Sequence, residues 1–310
     1  MNPIADILAR QGMLVLDGGL ATELESLGCD LDDPLWSARA LLDSPDDIRE
    51  VCRRYLSAGA DCVATATYQA STPGLAAAGL SHPEIATLLR DAVSLVVEER
   101  DRFWEDPSNR LGRSRPLVTA SVGPYGAYLA DGSEYRGDYG LSAADLYDFH
   151  ADRWADLAGT AADVMACETT PSLEETLAYC RLAAVSGSPT WVSFQCPDER
   201  SLADGTPLVE AVAVCHEEPN IVAVGINCTD PRLVSALVQR ARESTDLPVL
   251  VYPNSGEEWD AGSKTWIGAP TPTDWASRAR EWREAGASGI GGCCRVGPAD
   301  ITSIRQALFG

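Results

Sequence analysis

Short, almost wholly apolar runs recur along the chain and predict eight strands: Met13–Asp17, Cys62–Tyr68, Leu117–Val122, Val164–Glu168, Thr190–Gln195, Ile221–Asn227, Val249–Tyr252 and Ser288–Gly292. Continuous rather than alternating apolarity marks strands covered on both faces. Between the runs, apolar residues return every three or four positions, as in Leu173, Leu177, Cys180 and Ala184, or Leu233, Val234, Leu237, Val238 and Ala241. That period predicts amphipathic helices. Proline punctuates the expected helix starts at Ser44-Pro45, His82-Pro83, Thr170-Pro171, Asp230-Pro231 and Gly297-Pro298, where a first-turn N–H would go unpaired anyway.

Strand–helix alternation without a break in composition predicts a (β/α)8 TIM barrel, one domain spanning Met1–Gly310; a doubly wound sheet is the alternative. Two stretches, Asp30–Leu42 and Pro124–Leu141, lack a clear period and are rich in Gly, Tyr, Asp or Pro. Long loops in a compact barrel usually carry function.

Composition narrows the class. A net charge of −22, from 46 acidic and 24 basic residues, repels phosphate backbones and anionic membranes, which argues against nucleic-acid and lipid partners. The N-terminus has no long apolar core and no run approaches a bilayer span, so a cytoplasmic protein is expected. Ten cysteines in 310 residues is ordinary density, and Cys62, Cys167, Cys180 and Cys215 lie in apolar stretches as small hydrophobes.

In such a barrel reactive groups sit at the C-terminal ends of the strands. Reading those ends gives Asp17-Gly18-Gly19, Thr67-Tyr68-Gln69, Gly123-Pro124-Tyr125, Cys167-Glu168-Thr169, Gln195-Cys196, Asn227-Cys228, Tyr252-Pro253-Asn254 and Cys293-Cys294. Cys228, Cys293 and Cys294 would meet on one rim. Three sulfur ligands suit Zn2+ and leave a fourth tetrahedral position for a substrate atom. Spacing alone equally admits three unrelated core thiols. A disulfide between Cys293 and Cys294 is the weaker reading, because neighbours along a strand face opposite ways. A closed structural zinc site would need a fourth ligand, for which Cys196 is the candidate.

Asp17 and Glu168 are the strand-end carboxylates, and backbone amides at Gly18 and Gly19 lie near a helix start; together they can hold the ammonium and carboxylate of an amino acid. Taken singly, the glycines also read as a tight turn and Glu168 as a helix cap. His82, His150 and His216 fall in expected helices, leaving no base for a Ser–His–Asp or Cys–His hydrolase. No GxxxxGK[ST] and no strand-embedded GxGxxG occurs.

The segments LDGGLATELESLG (16–28), GPYGAYLADGSEYRGDYG (123–140), ETTPSLEE (168–175), GINC (225–228), YPNSGE (252–257) and GGCC (291–294) resemble, in order and spacing, the homocysteine S-methyltransferase family. The resemblance implies a barrel, zinc on Cys228, Cys293 and Cys294, and homocysteine recognition by Asp17, Gly18, Gly19 and Glu168, extended to Thr22 and Asn227. It further implies a sulfonium methyl donor, S-methylmethionine or S-adenosylmethionine, with another donor such as a betaine as the alternative. Tyr125, Tyr128, Glu134 and Tyr135 are the expected donor residues, because aromatic faces and carboxylates favour a cation. A non-catalytic zinc or amino-acid-binding barrel would keep the cysteines without needing that loop.

Overall fold

The computed structural model describes residues 2–33, 35–260, 265–268, 270–271 and 274–310. Its main sheet has eight parallel strands: β1 (Leu14–Val15), β2 (Cys62–Ala64), β3 (Leu117–Val122), β4 (Val164–Thr170), β5 (Thr190–Phe194), β6 (Ile221–Asn227), β7 (Val249–Tyr252) and β8 (Gly289–Ile290). Each strand pairs with the next in sequence from β2 to β8, and β8 pairs with β1. A parallel bridge from Leu16 to Cys62, with Asp61 N donating to Val15 O at 2.7 Å, brings β1 against β2 and all but completes the ring. The expected (β/α)8 barrel is the observed fold. β3, β6 and β7 match the expected bounds, whereas β1, β2 and β8 are shorter because their ends leave the ladder to build the rim.

The chain divides its apolar residues by direction. Leu14, Leu16, Cys62, Leu117, Val164, Ala166, Trp191, Ala223 and Leu250 pack in one cluster with Ile4 and Ile7 of the helix Pro3–Gln11. That helix plugs the N-terminal end of the barrel. Residues of opposite parity, such as Val15, Val63, Val118, Val192, Val224 and Val251, meet the outer helices. The helix Pro45–Ala58 shows how: Ile48, Val51, Cys52, Tyr55 and Leu56 make its buried stripe, and Gly59 ends it in the left-handed region at φ +108°. Each such aliphatic side chain contributes roughly 1.5–3 kcal/mol of burial.

Proline opens the helices at Pro45, Pro83 and Pro298, but Pro171 and Pro231 lie two to three residues ahead of the helices Leu173–Ser186 and Val234–Ala241. The first of these starts instead from Ser172, whose hydroxyl accepts from Glu175 N. The two aperiodic stretches carry short turns of helix, at Trp36–Arg39 and Ala40–Asp43 in one, and at Tyr125–Leu129 and Ser133–Tyr135 in the other. Pro34, within the first stretch, lies outside the described residues. A two-stranded hairpin, Glu258–Asp260 with Thr265–Ile267, follows β7. No helix among the described residues is long and apolar enough to cross a membrane.

Candidate metal centre and its cavity

Cys228 follows β6 in the left-handed region at φ +49°, a conformation uncommon for a residue with a side chain. Its amide donates to Tyr252 O at 3.2 Å, which fixes it against β7. Cys293 and Cys294 come after β8 has ended at Ile290. A turn, closed by Val296 N donating to Cys293 O at 3.1 Å with Arg295 at φ +65°, follows the strand, and Cys293 N donates to Pro253 O at 2.8 Å. Strand alternation therefore does not govern this pair, contrary to the expectation that the two side chains diverge.

The three sulfurs lie within 4.8 Å of one another, with Cys228–Cys294 and Cys293–Cys294 both at 3.9 Å. A tetrahedral ion with metal–sulfur bonds of about 2.3 Å needs sulfurs about 3.8 Å apart, so the spacing fits one. The protonation of the cluster fits as well. Thiol hydrogen bonds from Cys293 and Cys294 pull Cys228 well below its ordinary range, and the same contacts to Cys228 push Cys294 well above its own. One thiolate is tolerated; three close together require a cation. Among the described residues this metal-capable group has three members, and Cys196, buried with its amide on Thr229 Oγ1 at 3.1 Å, is not one of them.

The cysteines border a cavity of about 680 Å³. Its wall includes Asp17, Glu25, Asp30, Asp32, Asp33, Glu134 and Glu168, and no Lys, Arg or His stands among the described lining residues. Asp17 accepts from Ala64 N at 2.7 Å, and burial, with Glu168 nearby, raises it to about 8. Glu168 is bonded by Ser121 Oγ and is pushed up to about 7, again by burial. Glu134 rises to about 7 for the same reason, and its Oε2 is buried without a partner. Carboxyls enclosed by the cavity wall with no cation beside them, as Asp17 and Glu168 are, are costly to ionise, so this cavity is poised for a cationic ligand.

Gly18 and Gly19 serve close approach. A Cβ on Gly18 would collide with the Val296 carbonyl, and one on Gly19 would lie 2.8 Å from the Cys293 carbonyl oxygen. Gly19 N already donates to Val296 O at 2.9 Å, so it binds the cysteine turn rather than offering itself to a ligand. Thr22 acts on the same turn, its Oγ1 accepting from Arg295 N at 2.8 Å. Asn227 borders the cavity with its amide engaged: Oδ1 accepts from Thr169 N and Ser193 Oγ at 2.8 and 2.9 Å, and Nδ2 donates to Thr169 Oγ1 at 2.8 Å. It clamps Thr169, itself at φ +60° beside Glu168.

Of the expected donor residues, Glu134 and Tyr135 line the cavity, with Tyr135 OH 3.3 Å from Cys228 Sγ. Tyr125 and Tyr128 stand behind it, packed on Phe149 with ring centroids 4.8 and 5.4 Å away. Helix formation over Tyr125–Leu129 turns both rings outward from the rim. The aromatic wall is supplied instead by Tyr68 and Trp36, edge to face at 6.2 Å. Tyr68 was visible as a strand-end residue; Trp36 had no periodic signal and only its place in a long acidic loop could have flagged it. Ser121, inside the third apolar run, had no signal at all.

The family model for homocysteine S-methyltransferases matches residues 14–308. The chain is 46% identical over 305 residues to the homocysteine S-methyltransferase YbgG of Bacillus subtilis, covering 98% of this chain and 97% of that protein. It is 45% identical over 307 residues to the homocysteine S-methyltransferase of Escherichia coli, covering 98% of each. The crystal structure of the Escherichia coli homocysteine methyltransferase MmuM in its metallated form superposes with a TM-score of 0.87 at 42% identity, covering 98% of this chain and 99% of that one. With likeness running from the first barrel strand into the last helix, the chain belongs to the homocysteine S-methyltransferase family and is a methyltransferase.

Proposed function

We propose that the chain moves a methyl group from a sulfonium donor, S-methylmethionine or S-adenosylmethionine, to the thiol of L-homocysteine, giving methionine, with Zn2+ held by Cys228, Cys293 and Cys294. The observation that carries this reading is that one cavity joins a three-thiol cluster to two carboxyls, Asp17 and Glu168, beside which no cation stands. Zinc bound there would supply the positive charge that keeps the substrate thiol ionised at neutral pH.

The remaining work falls to the chain's own residues. Asp17 and Glu168 receive the ammonium group of homocysteine; its charge takes the place of the protons that burial otherwise keeps on them. Glu134 and the faces of Tyr68, Trp36 and Tyr135 surround the donor's positive sulfur. The wall orients the methyl carbon toward the thiolate and limits competing water. Methyl transfer releases a neutral thioether, so no general acid is required, and none of His82, His150 and His216 lines the cavity.

The test is zinc content measured alongside methionine formation, with the two sulfonium donors offered separately. About one zinc per chain with turnover supports the reading and ranks the donors. Zinc without turnover on either donor would point to a binding protein, and a metal-free active enzyme would remove the basis of the mechanism.

A further inference from the structure

Behind the aromatic wall, outside the cavity, three charged or titratable side chains are buried together: His150 and Arg153 from the helix Ala143–Ala158, and Glu175 from Leu173–Ser186. Arg153 Nη2 lies 2.8 Å from His150 Nδ1. A guanidinium can only donate, so Nδ1 accepts and the imidazole proton sits on Nε2. Nε2 then donates to Glu175 Oε1 at 2.8 Å. The same Oε1 accepts from Tyr125 N at 2.6 Å. Arg153 also reaches Tyr68 O at 3.1 Å and Gly123 O at 2.8 Å, the ends of the chain leaving β2 and β3.

The backbone groups this strut holds, Tyr68 O, Gly123 O and Tyr125 N, belong to segments that carry the donor side of the cavity. Tyr68 is an aromatic of the wall. Tyr125 N begins the short helix Tyr125–Leu129, and Gln69 Nε2 donates to Ala127 O at 2.8 Å from the β2 side. A Cβ on Gly126 would collide with Glu134 N, so the position of that helix sets that of the Ser133–Tyr135 turn, which bears Glu134 and Tyr135. Asp17 and Thr22, on the opposite rim, are untouched by it. Apolar side chains would pack the two helices at least as well as a buried Arg–His–Glu set. They would not hold two carbonyls and an amide in fixed places.

We infer that Glu175, acting through His150 and Tyr125, is a positioning residue that sets the donor-facing wall of the cavity, with no contact to homocysteine or the metal ligands. This rests on the assignment of that wall to the sulfonium donor. Burial pushes Glu175 up to about 8 and holds His150 well below its ordinary range, and Oε1 accepts both bonds whether or not Oε2 carries a proton.

Steady-state kinetics on the zinc-loaded enzyme separate this from a merely structural role. Glu175→Ala should raise KM for the sulfonium by about tenfold or more, because Tyr125 N and His150 Nε2 are left as donors without an acceptor in a buried site. KM for homocysteine and zinc content should stay within about twofold, as expected of separated sites. Glu175→Gln, which keeps an oxygen for Tyr125 N, should recover most of the donor KM. Both KM values rising together, an unchanged donor KM, or lost zinc in folded Glu175→Ala would overturn the inference. If that variant does not fold, Tyr125→Pro against Tyr125→Ala decides. Both remove the ring, proline is tolerated at a first helical position, and only proline removes the N–H. A higher donor KM for proline supports the strut; equal values overturn it. A wild-type enzyme that turns over neither sulfonium would instead overturn the donor assignment itself.

Discussion

Two aspartates, Asp61 buried and Asp17 half-buried on the cavity wall, stand at opposite ends of the barrel and are treated in opposite ways. Asp61, just ahead of β2 at the plugged end, takes both carboxylate oxygens to Arg305 at 2.8 Å, one to Gln11 at 2.7 Å and Val15 N at 3.1 Å, with Arg113 at 3.5 Å. Asp17, just beyond β1 at the open end, has Ala64 N and two acidic or thiol neighbours, Glu168 and Cys293, that oppose its charge. Burial pushes both carboxyls up; arginines pull Asp61 back, and nothing comparable helps Asp17. A charge paired within the fold serves the fold, whereas one left without a partner is complementary to something that arrives.

If that division is right, changes at the open end should cost activity before stability, and changes at the plugged end the reverse. The largest effect is expected for Cys294→Ser. It should lose bound metal and fall in activity by more than the about 100-fold typical of an outer-shell partner, with an unchanged melting profile of the metal-free protein. Full activity in a metal-replete serine variant would break the open-end assignment.

Asp61→Asn should lower unfolding stability by about 3–5 kcal/mol in denaturant titrations, because Arg305 and Arg113 are left without a counter-charge in a buried site. Asp17→Asn should leave stability equal or higher, since it removes a carboxyl on the cavity wall beside which no cation stands. The same substitution should raise KM for homocysteine by roughly tenfold to a hundredfold, the worth of a hydrogen bond to a charged group. Equal destabilisation by the two aspartate variants would erase the contrast.

The smallest effect is a slope. In the folded chain Asp17 keeps its proton to about 8, and Glu168 and Glu134 keep theirs to about 7. Unfolded, such carboxyls release protons near pH 4. The folded state thus binds more protons at these three groups between these limits, so their contribution to the stability of the substrate-free protein is fully present near pH 4 and is lost as pH rises toward 8. Asp17→Asn should flatten the upper part of that decline in melting temperatures taken from pH 5 to 8. An unchanged slope would show Asp17 to be ionised throughout.

Features that depend on local pattern are legible along the chain. Short apolar runs such as Leu117–Val122 and Ile221–Asn227 read as strands buried on both faces, and eight of them separated by 3.6-period segments favour a barrel over a doubly wound sheet. The ends of those runs point to Asp17, Glu168, Cys228, Cys293 and Cys294, because a barrel brings all such ends to one rim. Tertiary structure decided where side chains point once the strand stops. The turn after Ile290 points Cys293 and Cys294 the same way, and the helix Tyr125–Leu129 takes two tyrosines off the cavity wall. Trp36 and Ser121 enter the site from residues hundreds of positions away from Cys293 or buried within a strand. His150 reads as a helical residue, and only the packing of two helices reveals it as the link between Arg153 and Glu175. Period and spacing report which face an element buries; they carry no record of backbone that leaves the element, or of polar pairs that form between elements distant in the chain.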